Sequence, residues 1–160
     1  MLAFLLGALI TILLGRVTAY LVSRVGKEIR HSNQELSVNE DWRRFIGGNE
    51  GGYILGCLER ILFYCVLWDD KPIVVGGWLA FKVASKWQVW ANVISLPESI
   101  DGLSDIDLKV AKRIWGNELM ATFLVGTLSN LVIALLGVKA GKSFQEIVSS
   151  IVEFIFSFFI

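Results

Sequence analysis

The sequence predicts an all-helical, membrane-spanning bundle of four transmembrane helices followed by a fifth, C-terminal hydrophobic helix. Three observations predict it. Of the 160 residues, 54% are hydrophobic, above the roughly 45–50% of soluble domains. Mean hydropathy is +0.60. The apolar residues are gathered into runs near the ~20 residues that cross a hydrocarbon core, and charged stretches separate the runs. A chain of this length predicts a single integral membrane domain over 1–160. Fifteen Lys and Arg balance fifteen Asp and Glu, so no net charge draws the chain to nucleic acid.

The first span covers about 2–23. A signal peptide would need a basic leading region and a small-residue cleavage site, and only Met1 precedes the apolar run. Residues 25–49 are polar. Ser37 and Glu40 stand at capping-box spacing, ahead of a short interfacial segment with Trp42 at headgroup depth. The second span covers about 51–68 and the third about 73–94. Asp69, Asp70, Lys71 and Pro72 join them in a turn tight enough to force an antiparallel hairpin, with Pro72 in the first turn of the next helix.

Residues 95–116 read as an amphipathic segment outside the membrane, with a helix start near Ser104 and Asp107. The fourth span covers about 119–138. Ser143 and Glu146 then resemble the start of a last helix over 144–160. Its Glu146, Ser150, Glu153 and Ser157 form a polar stripe. That helix either spans or lies in the interface, and spanning is favoured.

Lysine and arginine set the orientation. Arg24, Lys27, Arg30, Arg43 and Arg44 precede the second span, and Lys109, Lys112 and Arg113 precede the fourth. Only Lys71 lies between the second and third. The first and third loops should therefore face the cytoplasm and the N-terminus the outside. A spanning last helix would return the C-terminus inside.

Each span carries small or weakly polar residues four apart: Gly7, Thr11 and Gly15; Gly52 and Gly56; Gly76, Ala80 and Ala84; Thr122, Gly126, Asn130 and Ala134. Lipid is as apolar as leucine, so helices associate through close backbone approach, which small residues permit. The stripes predict a compact bundle, within one chain or between copies.

Arg16, Glu59, Arg60 and Lys82 fall inside predicted spans, where a charge costs about 2.5–3.5 kcal/mol on insertion scales. Counted from the cytoplasmic ends, their depths predict that Glu59 meets Lys82 across the hairpin and that Arg16 joins them. Lys86 and Glu118 lie nearer the cytoplasmic side, Lys86 in a position to snorkel beside Trp87 and Trp90. One reading is an ionic lock that fixes helix neighbours. Another starts from the excess of cations over Glu59 and Glu118, which invites an anion such as a lipid phosphate.

Other signals carry little. GVKAGKS at 137–143 has three residues between its glycines where a phosphate loop needs four, and it follows a membrane helix. His31 has no nucleophile or ligand partners, and Cys57 and Cys65 stand too far apart on one helix for a disulfide. The pairs Asp69/Asp70 and Asp105/Asp107 suit turns and helix starts. No catalytic set, metal site or cofactor is predicted.

The segments GGYILGCLERILFY, GGWLAFKVASKW and ELMATFLVGTLSNLVIALLG resemble a group of small bacterial multi-pass membrane proteins. In these a Leu-Glu-Arg helix, a helix with a central lysine and a Glu-initiated helix bearing Gly-Thr-Leu follow one another. The matching positions are Gly51, Gly52, Leu58, Glu59, Arg60, Lys82, Glu118, Gly126, Thr127 and Leu128, within 51–137. Lys86-Trp87 stands where the group has Arg-Phe. The resemblance implies no activity, but implies that the Glu-Arg, Lys and Glu set belongs together.

The expected function is that of a subunit in a homo- or hetero-oligomeric assembly of a bacterial plasma (inner) membrane, held by the Arg/Glu/Lys cluster. The alternatives are an ion or small-solute channel or transporter lined by the last helix's polar stripe, and a lipid head-group binder or enzyme at the inner leaflet. Expected partners are the bilayer, a second copy or partner membrane subunit, and an anionic phospholipid.

Overall fold

A computed structural model of the chain describes residues 1–32, 50–94 and 105–158. Among these every regular element is helical: α1 (Leu2–Leu13), α2 (Gly15–Ser32), α3 (Glu50–Trp68), α4 (Pro72–Ile94) and α5 (Asp105–Ser157). Ser37, Glu40, Trp42 and Ser104 lie outside the described residues.

The apolar run at the N-terminus makes two helices rather than one. They meet at Leu14, where the amide donates to Ile10 O at 3.0 Å and the carbonyl accepts from Val17 N at 2.9 Å. The α3–α4 hairpin forms as its sequence dictates. Pro72 opens α4, and Asp70 takes the left-handed conformation (φ 55°) that closes the turn, one that Asp tolerates better than most residues. Lys142 of α5 reaches back to that turn and pairs with Asp70 at 3.0 Å.

The largest departure from the sequence reading is α5. The predicted fourth span (119–138) and the predicted last helix (144–160) as far as Ser157 belong to one helix of 53 residues, about 80 Å long at 1.5 Å per residue. Lys139, Ala140, Gly141 and Lys142 interrupt the apolar run without stopping the helix. Lys and Ala are good helix formers, no Pro follows, and a single interior Gly costs only about 1 kcal/mol. Ser143 and Glu146 are therefore interior residues and cap nothing.

α5 is the spine. α1 and α2 lie antiparallel along it, with Val22 against Gly126, Gly7 against Gly137 and Ala3 against Gly141. A Cβ on Gly137 would collide with Thr11 Oγ1 and lie 2.8 Å from Gly7 O, and one on Gly7 would lie 2.6 Å from Gly137 O. Backbone meets backbone here, as small residues allow. Thr11 keeps its hydroxyl on its own helix, donating to Gly7 O at 2.8 Å. Phe63, Tyr64, Val75, Ala134 and Val138 form the core between α3, α4 and α5. Tyr64 donates to Phe4 O at 2.7 Å and packs with Phe4 and Trp68.

The predicted small-residue stripes divide. Gly7, Thr11 and Gly15 are buried, as are Asn130 and Ala134. On α4, Gly76, Ala80 and Ala84 are exposed, with open space beside Gly76.

Among the described residues, two segments are long and apolar enough to cross a membrane, Leu2–Glu28 and Leu108–Ser157.

Candidate functional site: a buried ionic network

Glu59 and Arg60 are adjacent on α3, so their side chains leave the helix about 100° apart. Each is buried by a different neighbour. Glu59 is 1% exposed and Arg60 3%, levels that charged residues rarely reach.

Glu59 meets Lys82 on α4. Lys82 Nζ donates to Glu59 Oε1 at 2.8 Å and to Oε2 at 2.7 Å. Trp78 Nε1, one turn earlier on α4, donates to Oε1 at 3.0 Å. Asn130 Nδ2 on α5 donates to Oε2 at 2.9 Å. Each carboxylate oxygen thus takes two donors. The ammonium is satisfied in turn by Thr127 Oγ1 at 2.7 Å and lies 5.1 Å from the centroid of the Phe123 ring, a cation–π contact.

Asn130 also faces Arg60, whose Nη1 donates to Asn130 Oδ1 at 2.8 Å. The amide therefore bridges the guanidinium and the carboxylate. Arg60 Nη2 donates to Cys57 Sγ at 3.0 Å. The guanidinium fills the space a side chain at Gly15 would take, against the α1–α2 junction. Arg60 Nε and Thr18 Oγ1 are buried without a hydrogen-bond partner among the described residues.

One network of seven side chains thus fastens α3, α4 and α5, with its guanidinium against the α1–α2 junction. Its members share a depth. Glu59, Lys82 and Asn130 lie ten or eleven residues from Asp69, Lys71 and Gly141 at one end of the bundle, about 15–17 Å along each helix.

Of the six residues in the predicted cluster, the structure joins Glu59, Arg60 and Lys82. Arg16 is exposed. It follows Gly15, whose side faces Arg60, and the 100° step to the next residue carries its own side chain outward. Lys86 is exposed beside the exposed Trp87. Glu118 is twelve residues before Asn130 on the same helix, about 18 Å away, and contributes its carbonyl to Thr122 Oγ1 at 2.7 Å.

Sequence reasoning missed four partners in this network: Trp78, Thr127, Asn130 and Cys57. Asn130 and Thr127 carried a signal, as polar residues three apart in an apolar helix. Trp78 lies four residues before Lys82 and so shares its face.

Glu146, Ser150, Glu153 and Ser157 are all exposed. Glu146 borders an open polar hollow of about 410 Å³ with Trp68, Asp70 and Lys142. An apolar cleft of about 420 Å³ lies between Leu14, Val17 and Leu21 on one side and Val125, Leu128 and Val132 on the other. Among the described residues no group of three or more His, Cys, Asp or Glu side chains is placed to hold a metal.

Each carboxylate oxygen accepts two hydrogen bonds, and the guanidinium is buried against Gly15. The network's physical effect is to select helix neighbours, since a charge left unpaired in this interior is expensive. No protein-family model matches the chain, and neither a curated protein nor a solved structure is significantly similar to it.

Proposed function

We propose that the chain is a multi-pass membrane protein acting as a structural subunit of a membrane assembly, with the buried network holding its bundle in one arrangement. The observation that carries this reading is the surface of α5 from 145 to 158. Every residue there is exposed, and Ile147, Ile151, Phe154, Phe156 and Phe158 are each more than half exposed. Contiguous apolar surface of that extent marks contact with a partner or with lipid.

The bundle supports a bilayer reading. Leu5, Leu9, Ile12, Val17, Leu124, Leu128, Val132 and Leu135 turn outward, while Glu59 and Lys82 turn inward and pair. In this reading α1 with the first part of α2, then α3, α4 and the 119–138 stretch of α5 make four crossings of a bacterial plasma membrane. α3 and α4 tolerate Glu59, Arg60 and Lys82 because the network pairs or encloses them. Arg16 and Lys86 snorkel toward the cytoplasmic headgroups. Asp69, Asp70, Lys71, Lys139 and Lys142 mark the outer boundary. Because α5 is continuous, the C-terminus lies on the same outer side as the N-terminus.

The open face of Gly76, Ala80 and Ala84 on α4 supports assembly within the bilayer. The enclosed network gives less support to a lipid head-group site at Arg60 and Lys82.

Alkaline carbonate extraction of membranes, with thiol labelling of Asp70→Cys and of a C-terminal tag cysteine, tests the reading. The protein should stay in the pellet, and both positions should react from outside. Release into the supernatant would refute the membrane reading. Native mass spectrometry in mild detergent then reports the assembly.

A further inference from the structure

We infer that the distal part of α5 pairs with the same segment of a second copy, in parallel and in register. This rests on the membrane-subunit reading above. The buried seam of α5 runs through Asn130, Ala134, Gly137 and Gly141 at steps of four, three and four. The same alternation continues through Phe144, Val148, Ile151, Ile155 and Phe158. This is the a/d repeat of a left-handed helix pair.

Over the first half of the seam, α3 covers Asn130 and Ala134, and α1 covers Gly137 and Gly141. Ala3 of α1 and Trp68 of α3 both meet Gly141. Within the described chain neither helix reaches past it. The α3–α4 turn reaches only as far as Lys142. The last residues of α2 and the first of α5 lie toward the opposite end, since α2 runs antiparallel to α5 with Val22 at Gly126. The apolar seam therefore continues past its own cover.

Three features select a second copy. Copies that cross one bilayer in the same sense project their α5 ends side by side and parallel. An a/d seam in register is self-complementary, each layer meeting its own equivalent. Ser143, Glu146, Ser150, Glu153 and Ser157 lie on the other side of the helix, so the pairing brings no carboxylates together and leaves them in water. The outward face also changes where this requires. Leu124, Leu128, Val132 and Leu135 are exposed before Lys139, and the Ser/Glu stripe is exposed after it.

Disulfide formation in native membranes tests the inference on the full chain. Single cysteines are placed at Val148, Ile151 and Ile155 on the seam and at Glu146, Ser150 and Glu153 opposite it, with Cys65→Ser as background. Seam positions should give a cross-linked dimer under mild oxidant at least tenfold faster than the opposite face. Equal rates on both faces would overturn the inference, as would no cross-link at any position. Protection of seam cysteines from an aqueous maleimide without cross-linking would assign that face to the lipid surface, and would also overturn it. A native mass spectrum showing an oligomer that persists in Val148→Glu/Ile155→Glu would overturn the seam alone and leave the subunit reading standing. A protein lost from the membrane fraction would instead overturn the reading beneath it.

Discussion

Lys82→Met is the most informative single perturbation. It removes an ammonium that is 13% exposed and that bonds both oxygens of a carboxylate with no exposed surface. Glu59 would retain only Trp78 and Asn130 as donors. Breaking a buried pair from one side costs about 3–5 kcal/mol, because it strands the remaining charge. Glu59→Gln leaves Lys82 without a counter-charge, with Thr127 and one amide oxygen as its acceptors, and should cost a similar amount. The double variant removes both charges. A glutamine amide offers one acceptor where the carboxylate served Trp78 and Asn130 separately, so one of those two donors is left unpaired, at about 1–3 kcal/mol. The double variant should therefore be about 2 kcal/mol more stable than Lys82→Met alone. Reversible unfolding in mixed micelles, followed by circular dichroism, measures all four proteins. Additive losses, or a Lys82→Met variant within about 0.5 kcal/mol of the parent, would refute the account of the network as a coupled lock.

Three further outcomes follow from the packing. Gly137→Ala and Gly76→Ala gain the same helix propensity, but the first drives a methyl into Thr11 and the Gly7 backbone while the second enters open space. The same unfolding measurement should place Gly137→Ala about 1–3 kcal/mol below Gly76→Ala, and equal stabilities would remove the backbone-contact seam. Arg60→Gln loses the fork to Asn130 and Cys57 and should destabilise clearly, whereas Arg16→Gln should stay within about 0.5 kcal/mol of the parent; the reverse order would return Arg16 to the network. The Asp70–Lys142 pair is largely open to solvent, so Asp70→Asn should change stability by less than about 1 kcal/mol, an effect that fades with added salt in a thermal-melt series.

The sequence by itself determined the helical class, the α3–α4 hairpin and one ion pair. Apolar runs of helical length predict helices, which satisfy their own backbone. Pro72 after Asp69, Asp70 and Lys71 permits only a tight reversal. That reversal forces Glu59 and Lys82 to equal depth, and two opposite charges in an apolar interior then seek each other. Tertiary structure decided the rest. Hydropathy shows that 139–142 is polar, but helix continuation depends on backbone propensity and on Lys142 having Asp70 to meet, so α5 runs on. Depth alone placed Arg16 near Glu59, but rotation about the helix decides contact. The burial of Gly15 against Arg60 turns the next side chain away. Asn130 entered the network because α5 presents that face to both Glu59 and Arg60 at once, and no spacing along one chain segment encodes which face a third helix will show.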